Sequence, residues 1–221
     1  MRAARELLKD LKYEVVSGSI DVNVSELVYN TRKVKKECMF VCIKGATFDS
    51  HDVAGEAAKN GAVVIVAERP VDVPAGTTVV LVEDTRYALA LISAAYFQYP
   101  AKKLKVIGIT GTKGKTTTTF MIRSILEHAG IPTGLIGTIE VIIGDRHIPA
   151  HNTTPESYEV QEYFAQMVEA GCKVVVMEVS SQGLKLHRTA GIQFDIGIFT
   201  NLAPDHIGEN EHASFEEYME C

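Results

Sequence analysis

Several short runs in this 221-residue chain are apolar at almost every position. They are "MFVCI" (39–43), "AVVIVAE" (62–68), "TVVLV" (78–82), "KVIGIT" (105–110), "KVVVME" (173–178) and "FDIGIFT" (194–200). A strand with one wet face alternates apolar and polar residues. Runs without that alternation need cover on both faces, which helices layered over a parallel sheet provide. Helical stretches fall between the runs, at 53–60, 85–98, 115–129 and 156–170. Gly130 and Pro132 stop the third, while Pro155 and Gly171 bound the fourth. Residues 1–12 read as helical, 13–16 as a strand, and 138–151 as a hairpin turning at Gly144–Arg146. The alternation predicts an α/β fold, with 194–200 an interior strand. It breaks at "QYPAKKLK" (98–105), which divides the chain into a smaller α/β domain, 1–101, and a second, mostly parallel sheet domain, 102–221.

The second domain opens with "GITGTKGKTTTT" (108–119), set between an expected strand and an expected helix. Gly111 and Gly114 allow a tight turn that exposes backbone N–H groups. A helix N-terminus favours phosphate there. Lys115 is placed to reach phosphates and the Thr116 hydroxyl to bind Mg²⁺. The usual pattern wants Gly six residues before the lysine, where this chain has Ile109.

In an open α/β sheet, ligands lie beyond the carboxyl ends of the strands. Three strands here end in polar groups: the phosphate loop, Glu178, and Thr200–Asn201 followed by Asp205 and His206. If they run parallel, these groups share one rim. A carboxylate at a dry strand tip needs a partner. A cation held with a nucleotide supplies one, and a salt bridge from a helix end is the alternative. His206 is either a second ligand or a hydrogen-bonded loop residue. "HNTTPES" (151–157) is a second polar cluster, or simply a cap for the next helix. His51, His128, His147, His151, His187 and His212 read as surface or loop residues.

The net charge of −6 argues against nucleic acid. No apolar run reaches the roughly 18 residues of a membrane helix, and "MRAARELLKD" is too charged for a signal peptide. Cys38, Cys42, Cys172 and Cys221 read as reduced thiols of a cytoplasmic protein, with Cys38 and Cys42 half-buried.

With these residues assembled, the chain resembles the Mur ligases, and among them those that add the third residue of the peptidoglycan stem peptide. "TGTKGKTTT" resembles that family's phosphate loop and "NTTPES" its muramyl-substrate loop. "MEVSSQGL" with "HR" resembles the segment holding a Mg²⁺ ligand and substrate contacts, and "FTNLAPDHI" the family's Thr-Asn-Leu…Asp-His segment. "YNTRKVKKECMFVCIKG" followed by "GAVVIVAE" resembles the N-terminal uridine-binding domain. The resemblance implies that Gly111, Thr112, Lys113, Gly114, Lys115, Thr116, Thr117 and Asn201 bind ATP. It implies Thr116, Glu178 and His206 as Mg²⁺ ligands, and Lys115, Glu178 and His206 as the catalytic set. It implies that Thr31, Arg32, Lys44, Gly45, Asn152, Thr153, Thr154, Ser180 and Arg188 contact a UDP-muramyl dipeptide.

The expected reaction joins an amino acid to that dipeptide through an acyl phosphate, with ATP and Mg²⁺, in a monomer with no membrane insertion. The third residue is left open between meso-diaminopimelate and L-lysine. Gln182 stands where the family usually has His, the loop after His206 is longer, and Asn30–Arg32 replaces the frequent Asp-Ser-Arg. The family has a third domain that brings the amino acid, and this chain stops at Cys221. The resemblance therefore implies a truncated piece without ligase activity of its own. A folylpolyglutamate-type amide ligase and a phosphate-loop regulatory protein are the competing readings. The first places its phosphate loop nearer the N-terminus, and the second does not need "NTTP" or "EVSS".

Overall fold

The apolar runs become strands of two separate sheets in the computed structural model, which describes every residue except His206 and 209–211. The chain divides into two compact units, Met1–Tyr96 and Phe97–Cys221.

The first unit contains β1 (Arg2–Ala3), α1 (Ala4–Leu8), β2 (Glu14–Ser17), β3 (Asn23–Val24), β4 (Leu27–Val28), β5 (Cys38–Val41), α2 (Ala54–Lys59), β6 (Ala62–Ala67), β7 (Thr78–Leu81) and α3 (Thr85–Tyr96). Its main sheet has the order β2-β7-β6-β5-β4, parallel except for β2. Phe40, Ile65 and Val79 pack with Ala54 and Ala57 of α2. The helix expected over 1–12 shrinks to Ala4–Leu8 because Arg2 and Ala3 pair instead with Val24 and Asn23. Cys38 and Cys42 are fully buried, not half-buried. Burial pushes the Cys42 thiol up to about 12, so it behaves as a small apolar side chain.

The second unit contains β8 (Lys105–Thr110), α4 (Lys115–His128), β9 (Thr133–Ile136), β10 (Glu140–Ile143), β11 (Arg146–Pro149), α5 (Ser157–Glu169), β12 (Val174–Glu178), α6 (Ser181–Lys185), β13 (Ile196–Phe199) and α7 (Phe215–Glu220). The sheet order is β11-β10-β9-β12-β8-β13. The strands β9, β12, β8 and β13 run parallel, and the β10–β11 hairpin closes one side. Val106, Val175 and Met177 join Phe164 and Met167 of α5 on one face. Ile107, Ile109, Val174 and Val176 meet Ile122 and Leu126 of α4 on the other. Covering each such side chain contributes on the order of 1.5–3 kcal/mol.

The strand β13, expected to be interior, pairs only with β8 among the described residues. It lies at the sheet edge among the described residues, with Ile196 and Phe199 exposed. His51 and His212 are buried, not at the surface. His51 Nδ1 lies 2.6 Å from Asp49 Oδ1, and its Nε2 accepts the Glu68 N–H at 3.0 Å. His212 Nε2 lies 2.8 Å from Ser181 Oγ.

Candidate active site

The site begins where β8 ends. Gly111 takes φ +123°, and a Cβ there would overlap Thr200 Oγ1 and the Asn201 carbonyl. That close approach lets the β13 end brace the loop. Thr112 N–H donates to Asn201 O at 2.9 Å, and Asn201 Oδ1 accepts the Lys113 N–H at 3.1 Å. Asn201 Nδ2 and Thr200 Oγ1 both donate to Lys113 O at 2.8 Å. Lys113, Gly114 and Thr117 are exposed. No side chain caps α4 at Gly114, which leaves its first amides available to an anion. Lys115 Nζ donates to Gly111 O at 2.7 Å and Thr112 O at 3.1 Å, closing the loop on itself. Burial pushes the Lys115 ammonium down, and Glu178 and Asp205 oppose that shift.

Glu178 follows from the period-2 pattern of β12. It is in phase with Val174 and Val176, which pack beneath α4, so its side chain faces the first turn of that helix. It is fully buried. The carboxylate accepts from Thr116 Oγ1 at 2.9 Å, Thr138 Oγ1 at 3.0 Å and Thr138 N–H at 2.9 Å. Its hydrogen bonds thus come from hydroxyls and an amide, and no salt bridge from a helix end reaches it among the described residues. Thr116 and Glu178 fit a divalent cation by donor chemistry, since both offer oxygens to a hard ion. The expected ligand His206 lies outside the described residues.

The substrate-loop residues join this rim. Buried Thr154 donates its hydroxyl to Glu178 O at 3.0 Å and accepts the Ser180 N–H at 2.9 Å. Ser180 Oγ caps α6 by accepting the Gly183 N–H. Arg188 donates to Thr154 O at 3.0 Å and pairs with Glu156 at 2.7 Å. A cleft of about 620 Å³ is lined by Gly111 and Lys115 together with Asn152, Thr153, Thr154, Ser180 and Arg188. The α7 residues Tyr218 and Met219 line it too, and Tyr218 Oη lies 2.9 Å from Thr112 Oγ1. Thr112, Lys113, Gly114, Thr116, Thr117 and Asn201 are not among the lining residues. Asn201 instead braces the loop at Lys113.

In the first unit a separate cavity of about 540 Å³ is lined by Thr31, Arg32 and Gly45, with Tyr29, Phe48 and Ser50. Lys44 is not part of its lining, and its carbonyl accepts from Arg86 at 3.3 Å. Asn30 shapes this wall by accepting the Arg32 N–H, and Asp49 shapes the opposite loop by accepting the His51 N–H.

Sequence reasoning missed Thr138, Gly137, Glu156 and Tyr218. Thr138 follows a glycine between two expected strands, a position that reads as ordinary turn chemistry. Only the pairing of Met177 with Ile136 sets Gly137 beside Glu178.

Residues 109–221 match the family described as the Mur ligase middle domain, and residues 23–97 match the Mur ligase family, catalytic domain. The chain is 50% identical over 97% of its length to the UDP-N-acetylmuramoyl-L-alanyl-D-glutamate–2,6-diaminopimelate ligase of Clostridium perfringens, covering 44% of that protein. It is 48% identical over 96% of its length to the ligase of the same name from Caldanaerobacter subterraneus, again covering 44%. A solved structure of a ligase of that name superposes with a TM-score of 0.81 at 22% identity, over 99% of this chain and 43% of that one. The MurF ligase of Thermotoga maritima, solved in complex with ADP, superposes with a TM-score of 0.55 at 25% identity, over 89% of this chain and 42% of that one. The chain thus spans less than half the length of the curated relatives it matches. With a family match over more than half its residues, the chain belongs to the Mur ligase family.

Proposed function

We propose that this chain carries the UDP-muramyl-dipeptide and ATP sites of a ligase that adds the third residue of the peptidoglycan stem peptide. The observation that carries the reading is the single cleft lined by both the phosphate loop and Thr153, Thr154, Ser180 and Arg188. One cleft with anion-binding groups from both sources suits a reaction between a phosphate and a carboxylate. The added residue is 2,6-diaminopimelate rather than L-lysine, a choice supported by the names of relatives up to 50% identical. The reaction belongs in the cytoplasm, supported by four cysteines that form no disulfide. No helix among the described residues is long and apolar enough to cross a membrane.

In this mechanism the dipeptide's terminal carboxylate attacks the γ-phosphorus of ATP. ADP leaves and an acyl phosphate forms. The incoming amine then adds to the acyl carbon and phosphate departs, giving the amide. Two anions meet in the first step, so electrostatics and positioning carry the catalysis. Thr116 and Glu178, with His206, would hold Mg²⁺, which supplies positive charge at the phosphates. Lys115 turns from its loop carbonyls to the phosphates, and the α4 amides bind their oxygens. Thr153, Thr154, Ser180 and Arg188 orient the muramyl peptide. Thr31, Arg32 and Gly45, which line the first unit's cavity, bind the uridine diphosphate.

Calorimetric titration of this chain with UDP-N-acetylmuramoyl-L-alanyl-D-glutamate tests the substrate assignment. One molecule bound per chain is expected. Folded protein that gives no heat overturns it.

A further inference from the structure

Thr138 is a hairpin residue with two hydrogen-bonding groups aimed at the same carboxylate. Its N–H donates to Glu178 Oε1 at 2.9 Å and its hydroxyl to Glu178 Oε2 at 3.0 Å. A clasp on both oxygens fixes the torsion of the carboxylate as well as its position. Gly137 makes the clasp possible, because a Cβ there would stand 2.5 Å from Oε1. Thr116 reaches only Oε2. Its hydroxyl must also change partner if its oxygen turns to a cation, whereas the Thr138 groups are free of that duty. The Thr138 hydroxyl carries one hydrogen. With that hydrogen on Glu178, the oxygen accepts from Thr153 Oγ1, 3.0 Å away. One residue of the β9–β10 turn therefore ties the substrate loop to the tip of β12.

We propose that Thr138 is the positioning residue for the cation site, holding the Glu178 carboxylate in its ligating orientation. The inference rests on the reading of Thr116 and Glu178 as a divalent-cation site. Partners of metal ligands typically change affinity 10- to 100-fold when removed.

The test is Mn²⁺ binding to this chain in the presence of ADP, followed by the electron paramagnetic resonance of free Mn²⁺. Thr138→Val keeps the shape and removes the hydroxyl, and Thr138→Ala does so if valine folds poorly. Either should weaken Mn²⁺ binding by about tenfold or more, with metal-free ADP binding unchanged. Thr138→Ser should restore Mn²⁺ affinity to within about threefold of the parent. A purely structural turn residue would shift the unfolding midpoint and leave Mn²⁺ affinity alone, which overturns the proposal. Glu178→Gln separates the two layers. If it loses Mn²⁺ while both Thr138 deletions keep it, the positioning role alone fails. If Glu178→Gln keeps Mn²⁺, the cation site itself is misassigned and the positioning role falls with it.

Discussion

Thr116 Oγ1 donates to Glu178 Oε2 at 2.9 Å, joining residues 62 positions apart. That bond ties the first turn of α4 to the tip of β12. It links an uncapped helix terminus to a fully buried carboxylate. Lys115, one residue earlier, feels the same carboxylate as it loses hydration on burial.

Lys115→Ala should abolish turnover in the complete ligase, because it removes the cation that meets the developing charge. Folding should hold within about 1–2 kcal/mol, the scale of two part-buried hydrogen bonds to loop carbonyls. Phosphate release and urea unfolding, measured side by side, check both halves. Substantial turnover in the variant would defeat the assignment.

Gly137→Ala inserts a methyl group against Glu178 Oε1, which lies beneath the site of the missing Cβ. Overpacking of this kind costs about 1–3 kcal/mol. The variant should unfold at lower urea and bind Mn²⁺ with ADP more weakly. A variant as stable as the parent would mean that the turn moves aside freely.

Asn201→Ala removes both side-chain bonds to Lys113. Asn201 is exposed, so stability should change by less than about 1 kcal/mol. Nucleotide affinity should nevertheless fall, because the loop loses its brace. Calorimetry with ADP and Mg²⁺ reads this directly, and unchanged affinity would show that Thr200 braces the loop by itself.

Arg188→Lys should fail to rescue Arg188→Ala in binding the UDP-muramyl dipeptide. The guanidinium spans Thr154 O and Glu156 at once, and an ammonium is a point charge without that fork. Equal affinity of the lysine variant and the parent would reduce Arg188 to a simple positive charge.

Asp49 gives a pH signature in the first unit. Burial would raise its pKa, but hydrogen bonds from the His51 N–H and ring and from Arg69 outweigh it and hold the carboxyl at about 2. A depressed folded-state pKa means stabilisation that is present above the unfolded value of about 4 and lost as pH falls toward about 2. Asp49→Asn should be less stable than the parent near about pH 6, and the gap should close between about pH 4 and about pH 2. Urea unfolding across that range checks it. A gap that stays constant would place the effect of Asp49 outside its charge.

Much of the fold was legible because burial writes itself into composition. The dry runs of β6, β8 and β12 had to lie in covered sheets, and Gly111, Gly114 and Lys115 mark a phosphate loop through backbone and charge requirements that few residues meet. β13 pairs on one side only among the described residues. The burial of His51 and His212 was not legible because a lone histidine carries no mark of distant partners, and Glu68 and Ser181 reach them only through folding.

By itself, the sequence determined the α/β alternation and the family, since each depends on local periodicity or on motifs a few residues long. The tertiary structure alone decided what Glu178 touches. Strand pairing brings Gly137 alongside it, and the hydroxyls of Thr116 and Thr138 reach it from 62 and 40 positions away. The physical reason is that register and helix placement are set by the packing of the whole sheet, and no local pattern encodes a contact between distant hydroxyls and a carboxylate.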